Sequence, residues 1–306
     1  MRIAVIDLGT NTFHLLIAET NGEQFEILYK TNVPVKLGEG RINENIIIPA
    51  AFERGINTLK NFKETILTFQ VDQIKATATS AVRSAENGKD FVKAAKELAG
   101  IEIETITGDE EAKLIYEGVK LSGAIQEKCL IMDIGGGSVE FILCDTKNLI
   151  WKKSYNIGAA RLMQQFFNSD PISDDDKNAI LNHIQNQLSD LFEICETHQP
   201  QKLIGSAGAF ETFAELIIQR KTLNIDIKTA KTYEFDFDDY IDTTINLINA
   251  THDERIKMPG MIPLRVDMIV IAALITNYVM GRLKLNKLAL STYDLKMGVL
   301  ANLMIP

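Results

Sequence analysis

Apolar residues along the chain follow two periods, and their alternation predicts an α/β protein. Runs at 2–7, 13–19 and 24–30 are typical of a strand meander, whereas 51–69 carries apolar side chains at helical spacing. Strand-like and helix-like stretches then alternate along the chain. Further strands are predicted at 74–79, 101–106, 149–155, 202–205 and in a hairpin over 128–144, and further helices near 91–98, 107–120, 173–195, from 208 onward and at 268–280.

One part of this pattern occurs twice. Residues 3–17 and 129–143 each contain an apolar run, an aspartate, a tight glycine-containing turn with a hydroxyl residue, and a second apolar run. Asp7 in the first copy corresponds to Asp133 in the second. Each copy is typical of a β-hairpin whose turn exposes backbone N–H groups beside a carboxylate. We therefore expect two related domains, 1–122 and 123–306, that face each other across a cleft.

The chemistry of such turns predicts the ligand. Turn amides bind anions and aspartates bind divalent cations, so the expected ligand is a phosphate chain with a metal ion. Three successive glycines at 135–137 support this, because glycine weakens a strand and permits a backbone to approach a ligand closely. A flexible hairpin loop is the alternative interpretation. The predicted phosphate-binding residues are Gly9, Thr10, Asn11, Thr12, Gly135, Gly136, Gly137 and Ser138.

Composition restricts the partners. A hydrophobic content of 46% and a charged content of 24% are those of a soluble globular protein. The net charge of −9 argues against general binding to nucleic acid or to an anionic membrane surface. It also opposes a polyanionic substrate, so a local basic cluster and a bound metal ion would have to outweigh the overall repulsion.

The cysteines and the longest apolar stretch indicate the compartment. Cys129, Cys144 and Cys195 form no C-x-x-C pair, which predicts reduced, buried thiols in a cytosolic protein. Asp7 interrupts the first apolar run, so this run is not typical of a signal peptide. The apolar stretch 268–280 contains Thr276 and Asn277 and is too short to span a bilayer. We expect a cytoplasmic protein with no membrane partner.

Two adjacent acids are candidates for catalysis. Thr107 to Glu110 has the pattern of a helix-capping box. Glu110 and Glu111 are neighbours on that helix, so their side chains point about 100° apart and only one can face the cleft. Hydrolysis of a phosphoanhydride needs a group that orients or deprotonates water. Both acids could instead be solvated first-turn residues that the helix dipole favours.

These motifs resemble those of a known family. The paired hairpins are similar to those of the actin, Hsp70 and sugar-kinase superfamily, and the motifs resemble more narrowly the exopolyphosphatase and guanosine pentaphosphate phosphohydrolase (Ppx/GppA) family. The resemblance covers nearly the whole chain in family order. The matching segments are IDLGTNTFHLLIA (6–18), VKLGEG (35–40), ATSAVRSAENG (78–88), ITGDEEAKLIYEGV (106–119), DIGGGSVEFIL (133–143), GSAG (205–208) and RIKMPGMIPLRVDMIV (255–270).

The resemblance implies a fold and a set of roles. It predicts two ribonuclease H-like (actin-like ATPase) domains with a cleft between them, and a last helix, about 295–306, that packs back on the first domain. Glu111 is the implied general base, and Glu110 then caps the helix. Arg83 is the implied cation that neutralises charge on the transferred phosphoryl group. Asp133 and Glu140, helped by Asp7, are expected to bind Mg²⁺ or Mn²⁺, which need few carboxylates.

Other segments match the family less closely. Residues 205–208 lie where nucleotide-binding relatives hold adenosine, but Ala209 and Phe210 replace the usual hydroxyl continuation. Residues 294–298, Asp-Leu-Lys-Met-Gly, depart from the usual arginine-glutamate-glycine ending, which leaves their role open. His14 is expected at the cleft edge or in a structural hydrogen bond. Cations that either line the substrate path or form surface and structural ion pairs are Lys36, Arg41, Arg161, Arg255 and Arg265, the last of which could instead cap the following helix together with Asp267.

The resemblance leads to one main hypothesis for function. We expect an exopolyphosphatase that releases the terminal phosphate of inorganic polyphosphate. The alternative within the family is removal of the 5′-phosphate of guanosine pentaphosphate. Hypotheses from other classes are an actin-type ATPase or kinase and a non-catalytic polyphosphate sensor. The family analogy also suggests a homodimer. Residues 121–124 have the composition of a linker, and a hinge is expected there.

Overall fold

The first half of the chain forms a five-stranded sheet covered by helices. We describe a computed structural model in which residues 1–22, 24–206 and 208–304 are placed. The elements of this half are β1 (Arg2–Leu8), β2 (Thr12–Asn21), β3 (Gln24–Pro34), α1 (Pro49–Thr68), β4 (Gln73–Ala78), α2 (Ser80–Ser84), α3 (Gly88–Ala99), β5 (Ile103–Thr105) and α4 (Gly108–Ser122).

The second half forms a six-stranded sheet. A 3-10 turn, Pro263–Arg265, precedes its longest apolar helix. The elements are β6 (Cys129–Ile134), β7 (Val139–Cys144), β8 (Leu149–Tyr155), α5 (Ala159–Phe166), α6 (Asp174–Gln187), α7 (Ser189–His198), β9 (Lys202–Ser206), α8 (Gly208–Lys221), β10 (Thr232–Glu234), α9 (Phe237–Asn249), α10 (His252–Arg255), α11 (Met268–Leu283), β11 (Leu288–Ser291) and α12 (Leu295–Met304).

The two sheets share one topology. The first has the strand order β3-β2-β1-β4-β5, and the second has β8-β7-β6-β9-β11 with β10 added at its edge. In both, an antiparallel meander leads into parallel pairs, β1 with β4 and β6 with β9. Asp7 lies near the end of β1 and Asp133 near the end of β6. The repeat seen in the sequence is therefore a repeat of the whole sheet.

Two helices cross between the lobes. α4 follows the first sheet in the chain but packs its apolar face on β6, β7 and β9 of the second. α12 follows the second sheet and packs on β1 and β2 of the first, where Met297 and Leu300 contact Ile3 and Val5. Each sheet is thus buried on one face by helices of its own half and on the other by a helix from the opposite half. Such shared burial joins the two halves into one core.

The crossing of α4 and α12 depends on glycine. A Cβ atom placed on Gly118 would lie 2.1 Å from the carbonyl oxygen of Asp294, and one on Gly298 would lie 1.8 Å from that of Leu114. Real Cβ atoms do not approach backbone oxygens so closely, so only glycine permits these two helices to touch backbone to backbone.

One predicted element is wrong in its extent. The pattern over 173–195 predicts a single long helix, but the structure contains α6 and α7 with a break at Leu188. The break turns Asp190 toward β8, where the hydroxyl of Tyr155 donates a hydrogen bond to it at 2.8 Å and Lys153 forms an ion pair with it at 2.5 Å. Neither Pro nor Gly lies at the break, so the sequence carries no local signal for it.

None of the helices in the described residues has the length and apolar character needed to cross a membrane. The apolar helix α11 is instead buried in the second lobe, as its composition predicts. The predicted linker at 121–124 is occupied by the end of α4, which terminates at Gly123 in the left-handed conformation.

Candidate active site

The two glycine turns have the same internal geometry. The N–H of Gly9 donates to the carbonyl of Thr12 at 3.1 Å, and the N–H of Gly135 donates to that of Ser138 at 3.0 Å. Directly behind each turn, residues of paired strands lie opposite each other, Asp7 beside His14 and Asp133 beside Glu140. The two hairpins therefore present equivalent backbone and side-chain positions.

The backbone of the second turn is oriented by α5. The carbonyl of Gly135 accepts from Ala159 N at 2.9 Å, and that of Gly136 accepts from Ala160 N at 2.9 Å. The carbonyl of Gly137 accepts from Arg161 Nε at 3.2 Å. Since these carbonyls all point toward α5, the peptide N–H groups point away from it. Within the described residues, the N–H groups of 136 and 137, like those of 10 and 11 in the first turn, have no acceptor.

The turns face each other at close range. A Cβ atom on Gly136 would lie 2.5 Å from Asn11 Nδ2, and one on Gly137 would lie 2.5 Å from Ser80 Oγ at the start of α2. The cleft between the lobes is therefore lined by both turns, and this close approach requires Gly136 and Gly137, whereas a Cβ atom on Gly135 would lie 3.1 Å from the carbonyl oxygen of Ser138 in its own turn. Unpaired N–H groups converging from two turns form an environment that favours anions.

Glu111 lies in the same cleft. α4 begins with the predicted capping box, in which Glu110 accepts from Thr107 N at 2.8 Å and is exposed. Glu111 is instead 7% exposed and accepts a hydrogen bond from Arg83 at 2.7 Å. Burial raises the pKa of Glu111, the Arg83 ion pair and hydrogen bond lower it, and the net shift is upward. The geometry thus separates the two adjacent acids into one that caps the helix and one that is aimed inward.

Two further acids lie on the floor of the second lobe. Asp133 accepts from Ser206 Oγ at 2.9 Å, and Glu140 accepts from Ser154 Oγ at 2.6 Å. Burial, followed by the neighbouring carboxylates, raises the pKa of both groups well above the usual range, and the hydroxyl donors only partly oppose this. Three acids, Glu111 included, are close enough to influence one another, so their charges need compensation.

The floor of the first lobe carries a further buried acid. The pKa of Asp7 is raised to about 8, by burial first and then by Asp294, while Lys296 opposes the rise. Oδ1 of Asp7 is buried with no hydrogen-bond partner in the described residues. His14, beside it, has a pKa lowered to about 3, first by burial and then by Lys296. The side chain of His14 makes no hydrogen bond in the described residues, and His14 lies opposite Asp7 on the paired strand.

Comparisons with known proteins agree with this geometry. Residues 16–305 match the model of the Ppx/GppA phosphatase family. The chain belongs to that family. A solved structure described as an exopolyphosphatase from Cytophaga hutchinsonii is 37% identical, has a TM-score of 0.96, and the match covers 99% of this chain and 98% of that one.

Two curated relatives show the spread of the Ppx/GppA family. A putative exopolyphosphatase of Haemophilus influenzae is 29% identical, with 98% of this chain and 91% of that protein covered. A guanosine-5′-triphosphate,3′-diphosphate pyrophosphatase of Photobacterium profundum is 27% identical over 70% of this chain and 43% of its own length. These matches and the duplicated sheets confirm the predicted family and the predicted fold class of two actin-like α/β domains.

The residues predicted from Ppx/GppA motifs lie together at the cleft, but the cations that were expected to line the substrate path do not form such a path. Arg255 is fully buried and bonded to Asp170 and Asp267, so it is structural. Asp267 makes no side-chain cap to α11, so the predicted cap is wrong. Arg161 is bonded to the second turn and to the first lobe, while Lys36 and Arg41 are exposed.

In the segment 205–208, β9 ends at Ser206 and α8 begins at Gly208, while Ala207 lies outside the described residues. The guanidinium of Arg265 donates to the carbonyl of Gly208 and to Thr212 Oγ1, the latter at 2.9 Å. A Cβ atom on Gly208 would lie 1.7 Å from Arg265 Nη2, so the side chain of Arg265 covers the start of α8.

Sequence reasoning missed two residues of the cleft. Asp294 and Lys296 form an ion pair at the start of α12, where only 10% and 16% of their side chains are exposed. Both influence the pKa values of Asp7 and His14. The sequence contains an acid and a base two positions apart at the start of the last helix, and this pair could have indicated them. Because the segment 294–298 departs from the family pattern, its role stayed open.

Proposed function

We propose that this protein is an exopolyphosphatase, which hydrolyses the terminal phosphoanhydride of inorganic polyphosphate and releases phosphate. The observation that carries the proposal is the meeting of two N–H-lined turns with Glu111 in one cleft. In the described residues, turn N–H groups without an acceptor can donate to phosphate oxygens. The relative of 37% identity is also described as an exopolyphosphatase.

The chemical step requires a water molecule in line with the leaving oxygen. In the proposed mechanism Glu111 accepts a proton from this water while the water oxygen forms a bond to the terminal phosphorus. The bond from phosphorus to the bridging oxygen breaks, and the shortened chain leaves with that oxygen. Arg83 compensates the charge that develops on the transferred group, and the N–H groups of the turns orient it.

A divalent cation fits the residues present. Asp133 and Glu140 face each other on paired strands, and Asp7 has a buried oxygen that lacks a partner in the described residues. Among the described residues no three His, Cys, Asp or Glu side chains are arranged to bind a metal ion by themselves. Mg²⁺ commonly uses one or two carboxylates and completes its shell with water and phosphate oxygens, and Mn²⁺ resembles it in its preference for oxygen. When bound, it would neutralise charge on the phosphate chain.

The alternative substrate within the family is guanosine pentaphosphate, as the description of the Photobacterium profundum relative suggests. Phosphate release should be measured in parallel with long polyphosphate, tripolyphosphate, guanosine pentaphosphate and ATP, each with Mg²⁺, with Mn²⁺ and with a chelator. We expect the highest kcat/KM with polyphosphate and loss of activity in the chelator.

Each other outcome of this panel has a distinct meaning. A clear preference for guanosine pentaphosphate would replace the main proposal by the alternative. Hydrolysis of ATP alone would indicate an actin-type ATPase. Tight binding of polyphosphate without any phosphate release would indicate a sensor.

A further inference from the structure

The last helix places a buried lysine in the cleft. β11 ends at Ser291, which pairs with Ser206, the residue bonded to Asp133. The chain therefore leaves the second sheet at the edge where its acids lie, and it enters α12 within four residues. Lys296 is in the first turn of α12, whose body packs on the first sheet. This position lies between the two lobes.

The surroundings of Lys296 keep it charged. Burial lowers the pKa of its ammonium, but Asp294, Glu211 and Asp7 raise it, and the net shift is upward. In return Lys296 lowers the pKa values of Asp7 and His14, so its charge acts on the floor of the first lobe. The charge of the ammonium thus acts on Asp7 and His14, which lie directly behind the first phosphate-binding turn.

The hydrogen-bonding capacity of this ammonium is only partly used. An ammonium has three N–H donors. Within the described residues one acceptor is present, Oδ2 of Asp294. A buried donor without a partner is unfavourable, so the remaining donors favour the arrival of an acceptor. Phosphate oxygens are acceptors with the required negative charge.

The balance of charge in the cleft leads to the same ligand. Five buried carboxylates lie there, and Arg83 is already paired with Glu111. A polyanion that enters this cleft needs a further cation that can turn toward it. Lys296, whose side chain is 16% exposed, carries its charge on a flexible stem in that position. The five carboxylates are those of Asp7, Glu111, Asp133, Glu140 and Asp294.

We propose that Lys296 is a substrate-binding residue that donates to a phosphate oxygen on the first-lobe side of the cleft, and that Asp294 is a positioning residue that holds the ammonium between turnovers. The proposal rests on the proposed function, since it assumes a phosphate chain as substrate. It adds a contact from a segment that departs from the family pattern.

The test compares two buried lysines. Lys296→Met removes the charge in the cleft, and Lys202→Met removes a similar one at the far end of β9, where Lys202 is 9% exposed in its side chain and paired with Glu234 at 2.8 Å. KM and kcat are measured with tripolyphosphate, and Kd is measured in a Glu111→Gln background. Since charge-assisted hydrogen bonds are among the strong ones, we expect KM and Kd to rise about tenfold or more in Lys296→Met and to stay unchanged in Lys202→Met. Lys296→Arg should restore most of the affinity.

A purely structural role for Lys296 gives a different result. Unchanged KM and Kd in Lys296→Met, with only a lower Tm, would overturn the proposal. If that variant does not fold, Lys296→Gln, which keeps a polar group in the pocket, takes its place in the same assays. A wild-type protein that hydrolyses no phosphoanhydride would refute the proposed function instead, so the two failures can be distinguished.

Discussion

At the scale of single residues, the cleft combines buried acids with few cations. Glu111 is oriented by Arg83 and has a pKa above its ordinary value, with burial as the main cause. A general base works best when its pKa lies close to the working pH, and this shift moves it in that direction. The carboxylate form is present above the shifted pKa, so turnover should rise with pH through this value.

Exchanging Glu111 for Gln tests the base directly. The substitution keeps the size of the side chain and a hydrogen-bond acceptor for Arg83, but the amide cannot take a proton from water. We expect kcat to fall by at least ~100-fold, the scale of a lost general base. Polyphosphate affinity, measured by calorimetry, should remain close to that of the wild type.

Glu110→Gln is the matched control, because it makes the same chemical change one position earlier on an exposed side chain. Glutamine can still close the capping box with Thr107, so both kcat and Tm should stay close to wild type. Equal losses of turnover in the two variants, or near-normal turnover in Glu111→Gln, would contradict the assignment of Glu111.

Asp7→Asn tests the burial of the first-lobe acid. The pKa of Asp7 is raised from 3.8 to about 8, so between these values the unfolded state has lost a proton that the folded state retains. The stability contributed by neutral Asp7 is complete below pH 3.8 and decreases as the pH rises toward 8. Asparagine does not titrate, so it removes this pH dependence. For one group, the slope of the free energy of unfolding is at most about 1.4 kcal/mol per pH unit.

Thermal melts of wild type and Asp7→Asn in a metal chelator provide the measurement. The Tm advantage of the variant should be small at pH 5 and larger at pH 8. A difference between the two proteins that does not change with pH would contradict the burial of an ionisable Asp7.

At the scale of elements, the structure depends on where α4 and α12 are placed. Each helix has an apolar face that no local signal assigns to a particular sheet. The sequence predicts α4 well, because Thr107 and Glu110 form a capping box that any helix of this type would use. It does not predict the break between α6 and α7, because that break is stabilised by contacts of Asp190 with β8, a distant strand.

Gly118→Ala tests the crossing of α4 and α12. The new methyl group would overlap the carbonyl of Asp294, so the helices must separate, and the free energy of unfolding should fall by about 1–3 kcal/mol. Because Asp294 directly precedes α12 and Glu111 lies in the first turn of α4, turnover should fall as well. Denaturant unfolding and phosphate release provide the measurements.

Gly281→Ala is the control for this change. Gly281 lies in α11, and a Cβ atom placed on it would have no atom of the described residues within 4 Å beyond its own helix neighbours. Alanine there should therefore stabilise the helix by up to about 1 kcal/mol. Destabilisation of similar size in both variants would show that the effect of Gly118→Ala does not come from the helix crossing.

At the scale of the whole molecule, the two lobes also meet at the rim of the cleft. Segment 36–48 of the first lobe contacts α5 of the second. The backbone N–H of Asn43 donates to Gln164 Oε1 at 3.1 Å, and its side-chain Nδ2 donates to the carbonyl of Arg161 at 3.1 Å. The guanidinium of Arg161 donates to the carbonyl of Ile42 at 2.9 Å. Since α5 also orients the second turn, closure at the rim is connected to the phosphate-binding backbone.

Asn43→Ala should loosen this rim. We expect faster amide hydrogen exchange across segment 36–48 and at the start of α5, with little change in the strands of either sheet, because the side chain of Asn43 makes two of the hydrogen bonds between this segment and Arg161 of α5. Arg41→Ala is the control, since Arg41 is exposed and its one ion pair among the described residues is with Glu44 of the same segment. Equal exchange in the two variants would argue against a role of Asn43 in closure.

The sequence by itself determined the duplicated hairpins, most strands and helices, and the residues whose motifs match the family. These features are local: a glycine turn, a capping box or an apolar period is written in neighbouring residues. The tertiary structure alone decided which sheet each crossing helix covers and that the stretch 173–195 divides into two helices. It also decided that Asp294 and Lys296 join the site. Those outcomes depend on burial and charge between residues far apart in the chain, and no local pattern encodes which distant groups will share one low-dielectric cleft.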